Sequence, residues 1–307
     1  MMEEFSLINM VDTLDESRKQ VRGISFGCAC EGCKENTIRR SHLIQQRPFL
    51  YSVSDSNNKV FLPIDNEIHP RTGGLDLSKP SIVTVGQAFY LPLFCKKHDD
   101  EIFKPIETKG FDVCDIRNQL LFSYRALCAQ RYLEQKRLAL YEQNGFSGEI
   151  FELQRSYSKS CIERFNLSIR QLWKDIQSSV FQDYEFKVVT MPRVPICLTD
   201  SIVDENNLVN SKNKNKPCNI VYAHLLPFEK VSKLIIGYNK KYVSKKQLKY
   251  YESWKSTYDT IDMNSILELL YRCKNWCCHP DFISDKQSFI ENWDLARVML
   301  VMEEGGC

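Results

Sequence analysis

The sequence predicts an α+β protein in which a metal-binding module comes first, a long α-hairpin follows, and a small antiparallel sheet with C-terminal helices completes the chain. Three observations predict this class. Cysteine and histidine recur in two closely spaced pairs near the N-terminus, a long middle stretch repeats apolar residues at helical spacing, and later segments are rich in β-branched and aromatic residues. The predicted domains are 1–110, 111–183 and 184–307.

Two half-sites of metal-ligating residues organise the N-terminal module. Cys30 and Cys33 form a C-x2-C pair, and Cys95 and His98 form a C-x2-H pair far along the chain. Two ligands separated by two residues can bind one ion from a single tight turn, and Gly32 suits such a turn because glycine tolerates positive φ. Three thiolates and one imidazole form the donor set that tetrahedral zinc prefers. We therefore predict that these four residues hold a structural Zn²⁺ ion.

Two further residues compete with these four for the ligand positions. Cys28 and His42 are the competitors, and the regular spacing of the two pairs leaves Cys28 peripheral and His42 free. The apolar run 89–94 before Cys95, with acidic residues after His98, predicts a short strand and then the first turn of a helix. A knuckle, a hairpin and ligands at a helix start make up the treble-clef, or ββα-like, arrangement. The alternative is that these cysteines are ordinary buried thiols.

Residues 28–103, about a quarter of the chain, resemble the HNH-like endonuclease superfamily. Members of that superfamily carry a C-x2-C knuckle, then a histidine preceded by a polar residue, then a second knuckle followed directly by a metal ligand. Ser41-His42 and Cys95-Lys96-Lys97-His98-Asp99 occupy the last two places here, with Ser41 where many members have aspartate. The resemblance implies that His42 is a general base and that Asp99 helps to hold a catalytic Mg²⁺ or Mn²⁺ ion.

The activity that this resemblance implies is metal-dependent hydrolysis of nucleic-acid phosphodiesters. A neutral imidazole can accept a proton from water, and a hard divalent ion polarises the phosphate. Standalone HNH-like proteins with long tails often belong to bacterial antiphage defence, so the resemblance also suggests such an effector. Two other interpretations of His42 stay open. It is the fourth zinc ligand, with His98 free, or it is a histidine that is hydrogen-bonded beneath the knuckle. The alternative function is a non-catalytic, zinc-stabilised subunit of a larger complex that binds nucleic acid or protein.

The rest of the chain is predicted to consist of helices around a sheet. Residues 112–144 and 149–182 form the α-hairpin, because apolar residues recur at steps of three or four along the second segment. The other predicted helices are at 3–20, 244–258, 262–275 and 285–300. The predicted strands lie at 47–54, 59–64 and 82–94 within the zinc module, and at 184–190, 194–199, 218–223 and 233–238 beyond the hairpin.

A lysine-rich stretch is the candidate nucleic-acid surface. Ten lysines and one glutamate lie between Ser211 and Tyr250, with tyrosines among them. Clustered lysines can neutralise phosphates and nearby aromatic rings can stack on bases, so DNA or RNA is the predicted partner. A solvated lysine-rich face explains the same composition, since arginine is absent from the stretch. The predicted contact residues are Lys212, Lys214, Lys216, Lys240, Lys241, Lys245 and Lys246.

A second metal site near the C-terminus is an alternative hypothesis. Cys273 and Cys277 would share a helix face and His279 follows them, with a fourth ligand drawn from His224 or Cys218. No paired half-site supports it, so we favour core cysteines at the end of a helix.

Composition limits the class of protein. The net charge of +2 is too small for a charge-driven partner of the whole protein, and any nucleic-acid surface must be local. The acidic N-terminus and the lack of a long apolar run predict a cytoplasmic protein without a membrane partner, in which the 13 cysteines are reduced. A protein partner or a homo-oligomer stays open. No phosphate-binding glycine loop, serine nucleophile elbow or dinucleotide fingerprint occurs, which disfavours nucleotide-driven motors and serine hydrolases.

Overall fold

The protein has an α+β fold over the residues that a computed structural model describes, which are 24–38, 41–63, 81–142, 148–203, 215–256 and 263–284. Two long helices accompany a seven-stranded antiparallel sheet and a separate two-stranded sheet. The predicted α+β class is confirmed. The helices predicted at 3–20 and 285–300 lie outside the described residues.

The N-terminal region forms a two-stranded sheet that leads into a short helix. The strands β1 and β4 pair antiparallel, which sets Ser41 opposite Leu91 and His42 opposite Tyr90. The elements of this region are β1 (Ser41–His42), a π-type turn (Gln46–Leu50), β2 (Lys59–Leu62), β3 (Ser81–Thr84), a 3-10 turn (Val85–Gln87), β4 (Tyr90–Leu91), α1 (Lys96–Ile102) and α2 (Lys104–Glu107).

The predicted strand at 47–54 is wrong. Gln46–Leu50 forms a π-type turn instead. Pro48 cannot donate a hydrogen bond to a strand ladder. The adjacent residues Phe49 and Leu50 are both fully buried, whereas a strand with one buried face would alternate buried and exposed side chains.

The predicted α-hairpin is confirmed. Its helices are α3 (Ile116–Tyr141) and α4 (Glu149–Ser178). The carboxylate of Asp115 caps α3 by accepting a hydrogen bond from the N–H of Arg117. Arg117 donates to the carbonyl of Ile176 near the far end of α4, so the two helices run antiparallel.

The large sheet has the order β3-β2-β9-β6-β7-β8-β5. Every neighbouring pair in it is antiparallel. β2 and β3 come from the predicted zinc module, and they join the remainder through β9, where Phe61 lies opposite Cys278. The strands beyond the hairpin are β5 (Tyr184–Pro192), β6 (Ile196–Val203), β7 (Ile220–Pro227), β8 (Val231–Asn239) and β9 (Trp276–Cys278).

Each face of the sheet buries a separate apolar core. Side chains alternate between the two faces of a strand, so Cys197 and Cys277 face α3 and α4, whereas Leu198 and Trp276 face the C-terminal helices. The helices of the C-terminal face are α5 (Lys245–Ser256), α6 (Met263–Arg272) and the short α7 (Pro280–Ser284). In the part of the chain that the structure describes, no helix has the length and apolar character needed to span a membrane.

Candidate metal centre

Four side chains converge between the N-terminal segment and the start of α1. The donor atoms of Cys28, Cys33, Cys95 and His98 all lie within 4.8 Å of one another. The Nδ1 atom of His98 is 3.2 Å from the Sγ atom of Cys28 and 3.4 Å from that of Cys95. The sulfurs of Cys33 and Cys95 are 3.9 Å apart. These four residues could hold one metal ion.

The donor separations fit a tetrahedral zinc ion. Zinc–sulfur and zinc–nitrogen bonds of ordinary length place two sulfurs about 3.8 Å apart and a sulfur and a nitrogen about 3.6 Å apart in a tetrahedron. The observed 3.9 Å, 3.2 Å and 3.4 Å lie close to those values. Soft thiolates with one imidazole are also the donors that zinc favours over hard cations such as Mg²⁺.

The first two candidate ligands come from a turn with a glycine before each cysteine. Gly27 and Gly32 have φ values of +80° and +75°, a conformation that a residue with a Cβ adopts only under strain. Each glycine directly precedes one cysteine of the cluster, Cys28 or Cys33. The N–H of Cys33 donates to the carbonyl of Cys30 at 3.2 Å. The turn therefore directs both sulfurs toward α1.

The other two candidate ligands lie at the beginning of α1. Cys95 is the N-cap residue of this helix and His98 lies within its first turn. The preceding segment is fixed to the N-terminal strand region, because Ala29 donates to the carbonyl of Leu93 and Ile38 donates to that of Phe94, both at 2.8 Å. Strand, helix start and turn thus bring two distant parts of the chain together, as the sequence predicted.

One of the four predicted zinc ligands requires correction. The structure places Cys28, not Cys30, with Cys33, Cys95 and His98. Cys30 is only 6% exposed and packs in the core next to α3, where the hydroxyl of Tyr124 lies 4.0 Å from its sulfur. The regular C-x2-C spacing selects Cys30, whereas the repeated Gly-Cys dipeptide at 27–28 and 32–33 selects the pair that the structure brings to the cluster.

Hydrogen bonds prepare the sulfur of Cys28 for a cation. The thiol of Cys30 donates to it, and this bond, opposed by burial, lowers the pKa of Cys28 to about 4. The N–H of Cys95 adds a second bond at 3.4 Å. The same contact and burial raise the pKa of Cys30 well above its usual range. Of the two sulfurs, that of Cys28 is therefore the one whose surroundings favour the charged form that a metal ion binds.

The two predicted catalytic residues lie on different sides of β1. Successive strand residues point to opposite faces, and Ser41 faces the buried side, where its Oγ accepts a hydrogen bond from the N–H of Phe94. Asp99 lies on that side too, where burial raises its pKa and the nearby Ser41 hydroxyl partly opposes the rise. His42 is half-buried, with its Nε2 atom 2.8 Å from the amide nitrogen of Gln46. The roles of His42 and Asp99 in catalysis stay predictions.

A buried arginine lies near Asp99. Arg125 is 1% exposed, pairs with Glu107 at 2.6 Å and lies 3.8 Å over the ring of Phe103. Burial raises the pKa of Asp99 to about 6, and the positive charge of Arg125 opposes that rise. The surroundings of this carboxylate therefore include a fixed cationic side chain.

The described lysines of the predicted nucleic-acid surface are exposed. Hydrogen bonds fix part of this surface: Arg164 on α4 donates to the carbonyls of Lys216 and Pro217, and the amide of Gln247 on α5 donates to the carbonyl of Asn219. Lys241 pairs with Asp183 at 2.5 Å. Lys212 and Lys214 lie outside the described residues. The exposed lysines are Lys216, Lys240, Lys241, Lys245 and Lys246.

The C-terminal cysteines and histidines do not form a second cluster of metal donors among the described residues. Cys273 and Cys278 belong to one core of the sheet, whereas Cys277 faces the other. His224 is fully buried, with its ring nitrogens 2.8 Å from the Thr199 hydroxyl and 3.2 Å from that of Ser123. Both of its nitrogens are therefore engaged within the core.

The likeness to HNH-like endonucleases is carried by the N-terminal residues alone. No family model, curated protein or solved structure matches this chain. What the structure adds is a Cys/His cluster near the N-terminus that could bind a metal ion such as zinc. The nuclease activity, the Mg²⁺ or Mn²⁺ cofactor and the defence role stay predictions.

Proposed function

We propose that this chain is a zinc-stabilised nucleic-acid-binding subunit in which the metal has a structural role. The observation that carries the proposal is the closed set of four protein donors within 4.8 Å. Catalytic zinc sites keep a position open for water or substrate, whereas structural sites are filled by four side chains. A treble-clef module of knuckle, hairpin and helix would then be completed by one Zn²⁺ ion.

The metal part of the proposal is tested by zinc content in a matched pair of cysteine variants. We expect one zinc per chain in the purified protein, loss of zinc in Cys28→Ser, and retention of zinc in Cys30→Ser. The two positions are two residues apart, and only Cys28 lies in the cluster. Loss of zinc in Cys30→Ser with retention in Cys28→Ser would contradict the ligand set.

The nucleic-acid part of the proposal is supported by the exposed lysines. Lys240, Lys245 and Lys246 are exposed, and the structure shows no ion pair between them and any described residue. A lysine next to the N-terminus of a helix is unfavourable for the helix dipole, and Lys245 and Lys246 open α5. Phosphate groups would offset that repulsion, since helix N-termini favour anions.

A salt titration with charge-reversal variants tests this surface. We expect the triple variant Lys240→Glu, Lys245→Glu and Lys246→Glu to weaken binding of DNA or RNA oligonucleotides at least about 10-fold and to reduce the salt dependence. The control reverses three exposed lysines elsewhere, Lys104, Lys109 and Lys174. Equal loss in both variants would mean that binding follows net charge rather than this surface.

Metal-dependent phosphodiester cleavage is the second candidate function. It is favoured by the pairing of the His42 strand β1 with β4, shortly before the helix that holds Cys95 and His98. In this proposal His42 accepts a proton from water, Asp99 helps to hold Mg²⁺ or Mn²⁺, and the divalent ion would supply charge stabilisation at the phosphate. We rank it second because Asp99 is half-buried beside Ser41, on the face opposite His42.

A cleavage assay separates the two candidates. Plasmid DNA and structured RNA are incubated with Mg²⁺ or Mn²⁺ and with the protein, His42→Ala, or the control His279→Ala. A nuclease requires a loss of about 100-fold or more in His42→Ala, with zinc retained and the control active. Oligonucleotide binding without cleavage in all three proteins supports the non-catalytic subunit.

A further inference from the structure

A polar cleft lies between the C-terminal part of α4 and one end of the strands β5, β7 and β8. It has about 280 Å³ of empty volume, part of which is open to solvent. Pockets for drug-sized ligands usually begin at about 300 Å³, so this cleft suits a smaller group. We call it the Tyr242 cleft, and the lining residues that matter below are Gln171, Tyr184, Tyr222, Asn239 and Tyr242.

Hydrogen bonds fix the walls of the Tyr242 cleft. The carboxylate of Asp175, which is 8% exposed, accepts hydrogen bonds from the amide of Gln171 at 2.9 Å and from the hydroxyl of Tyr184 at 2.8 Å. The carbonyl of Asn239 accepts a hydrogen bond from the N–H of Tyr242 at 3.1 Å. The cleft is therefore held in shape by the protein itself, and a ligand would need to order few side chains on binding.

The Tyr242 cleft contains polar atoms that lack partners in the described part of the chain. Tyr222 is 4% exposed and its ring stacks on that of Phe186, yet its hydroxyl makes no hydrogen bond to a described residue. The same is true of the Tyr242 hydroxyl and of the amide oxygen of Gln171. A buried polar group without a partner costs free energy. These atoms therefore favour an occupant that carries hydrogen-bonding groups.

Exposed lysines border the Tyr242 cleft. Lys216 directly precedes a lining residue, and the two lysines at 240–241 connect the lining residues Asn239 and Tyr242. One of these lysines, Lys241, also pairs with Asp183. Positive charge thus lies beside aromatic and amide side chains, which is the combination that binds a phosphate and a base together.

The start of α5 continues this basic surface. The amide of Gln247 donates to the carbonyl of Asn219 at 2.9 Å, and Asn219 lies between two residues that line the cleft. Lys245 and Lys246 directly precede Gln247 in the first turn of α5. The lysines proposed above to bind phosphates therefore lie next to the cleft.

We propose that the Tyr242 cleft binds one unpaired base of a single-stranded nucleic acid, while the neighbouring phosphates contact the bordering lysines. The ring of Tyr242 would stack on the face of the base, and the Gln171 amide and the Tyr222 hydroxyl would hydrogen-bond to its edge. Bases in a duplex are stacked and paired, so they cannot enter such a cleft. This inference rests on the proposed nucleic-acid function, and it names single strands as the class of ligand.

Binding measurements with Tyr242 variants test the stacking contact. The full chain is titrated with single strands of about 12 nucleotides, of DNA and of RNA, and with the corresponding duplexes. We expect the wild type to bind single strands about 10-fold more tightly than duplexes. Tyr242→Ala should lose about 10-fold in single-strand affinity with the salt dependence unchanged, whereas Tyr242→Phe keeps the ring and should bind within about 2-fold of wild type.

Two further variants complete this comparison. Tyr222→Phe removes only the hydroxyl without a described partner, and we expect it to weaken single-strand binding about 5-fold. Tyr51→Ala is the matched control, because Tyr51 is 37% exposed and does not line the cleft. Its affinity should equal that of the wild type. Circular dichroism shows whether each variant is folded.

A photocrosslink locates the base on the wild-type protein, so it does not depend on the folding of a variant. Single strands that carry 5-iodouracil are irradiated in complex with the protein, and the adduct is mapped by mass spectrometry. We expect the adduct on Tyr242. The DNA and RNA strands are compared at equal length and sequence, and the strand that binds more tightly is assigned as the ligand.

Three results would overturn the inference. They are tighter binding of duplexes than of single strands, equal single-strand affinity of Tyr242→Ala and wild type, and adducts confined to residues outside the cleft. In each case the lysine surface can still bind nucleic acid, which the charge-reversal variant tests separately. Absence of binding to every oligonucleotide would instead refute the proposed nucleic-acid function itself.

Discussion

The metal module and the seven-stranded sheet achieve their structure in different ways. Around the knuckle, few backbone hydrogen bonds hold the chain, including those from Ala29 to Leu93 and from Ile38 to Phe94. In the sheet, β5 and β8 alone pair over nine residues, and an apolar core covers each face. With so few backbone hydrogen bonds, we expect the knuckle to depend on metal binding by its four donors more than the sheet does, which is stabilised by burial and by extensive backbone pairing.

Removal of zinc is expected to have the largest effect, and it should be confined to one of the two regions. Structural zinc supplies about 10 kcal/mol or more of binding free energy that is also folding free energy. A chelator should therefore increase hydrogen exchange at residues 24–38 and 89–99, while β6 to β8 keep their protection. Equal loss of protection in both regions would show that the sheet also depends on the metal.

The buried carboxylate of Asp200 offers a test of the sheet. It is 1% exposed and accepts hydrogen bonds from Gln130 on α3 and from the backbone of Ser201, Lys274 and Asn275. Asp200→Ala leaves these donors unpaired, so we expect a loss of about 4 kcal/mol in the free energy of urea unfolding. Zinc content should be unchanged.

The control for that experiment is Asp281→Ala, because this carboxylate is 89% exposed. We expect it to change the free energy of unfolding by less than about 0.5 kcal/mol. If Asp200→Ala were as mild as the control, the hydrogen bonds of Asp200 with α3 and with the backbone just before β9 would not contribute to stability as the geometry suggests.

Substitution of Gly237 on β8 is expected to have the next largest effect on stability. A Cβ atom there would lie 2.1 Å from the ring of Phe186, the residue opposite Gly237 on the neighbouring strand β5. Gly237→Ala should therefore lower the free energy of unfolding by about 1–3 kcal/mol. Phe186→Leu in the same chain should recover part of the loss if this contact is the cause. No recovery would point to a backbone effect.

The smallest expected effect is a pH dependence from His224. Burial lowers its pKa from 6.5 to about 3, so the folded state excludes a proton that the unfolded state binds. Its contribution to stability is present above pH 6.5 and is lost as pH falls toward 3, at about 1.4 kcal/mol per pH unit. His224→Gln cannot titrate, so its loss between pH 7 and pH 5.5 should be smaller than that of the wild type by about 1.4 kcal/mol.

The comparison between wild type and His224→Gln is needed because burial changes the stability contribution of a second group in the opposite direction. Burial raises the pKa of Asp99 to about 6, and a carboxyl group with a raised pKa in the folded state gains stability as pH falls. Asp99 is present in both proteins, so its contribution cancels in the comparison. Identical pH profiles for wild type and His224→Gln would show that His224 can be protonated without cost.

The sequence predicted the long helices and most of the large sheet because their signals are local. Apolar residues repeat along α4 from Phe165 to Ile176 at helical spacing. Three members of this series, Ile169, Leu172 and Ile176, are buried. The strands β5 to β8 are eight or nine residues long, and their composition identifies them. Long elements with regular patterns can be read from residues alone.

The elements and contacts that the sequence did not predict depend on distant partners. β9 has three residues, too few for a periodic signal, and it is a strand because β2 and β6 flank it. The presence of Cys28 in the cluster, where the sequence predicted Cys30, also depends on a distant contact. Both cysteines are plausible ligands from spacing alone, and the choice depends on which of them packs against Tyr124 on α3.

The insertion of β9 between β2 and β6 has a consequence for synthesis on the ribosome. β2 and β3 leave the exit tunnel early, yet the strand that joins them to the remaining sheet is made roughly 200 residues later. Until then, the edges of β2 and β6 are open to other chains. A truncated product that ends before Trp276 should therefore aggregate, and expression of the isolated N-terminal half should require a partner for that edge.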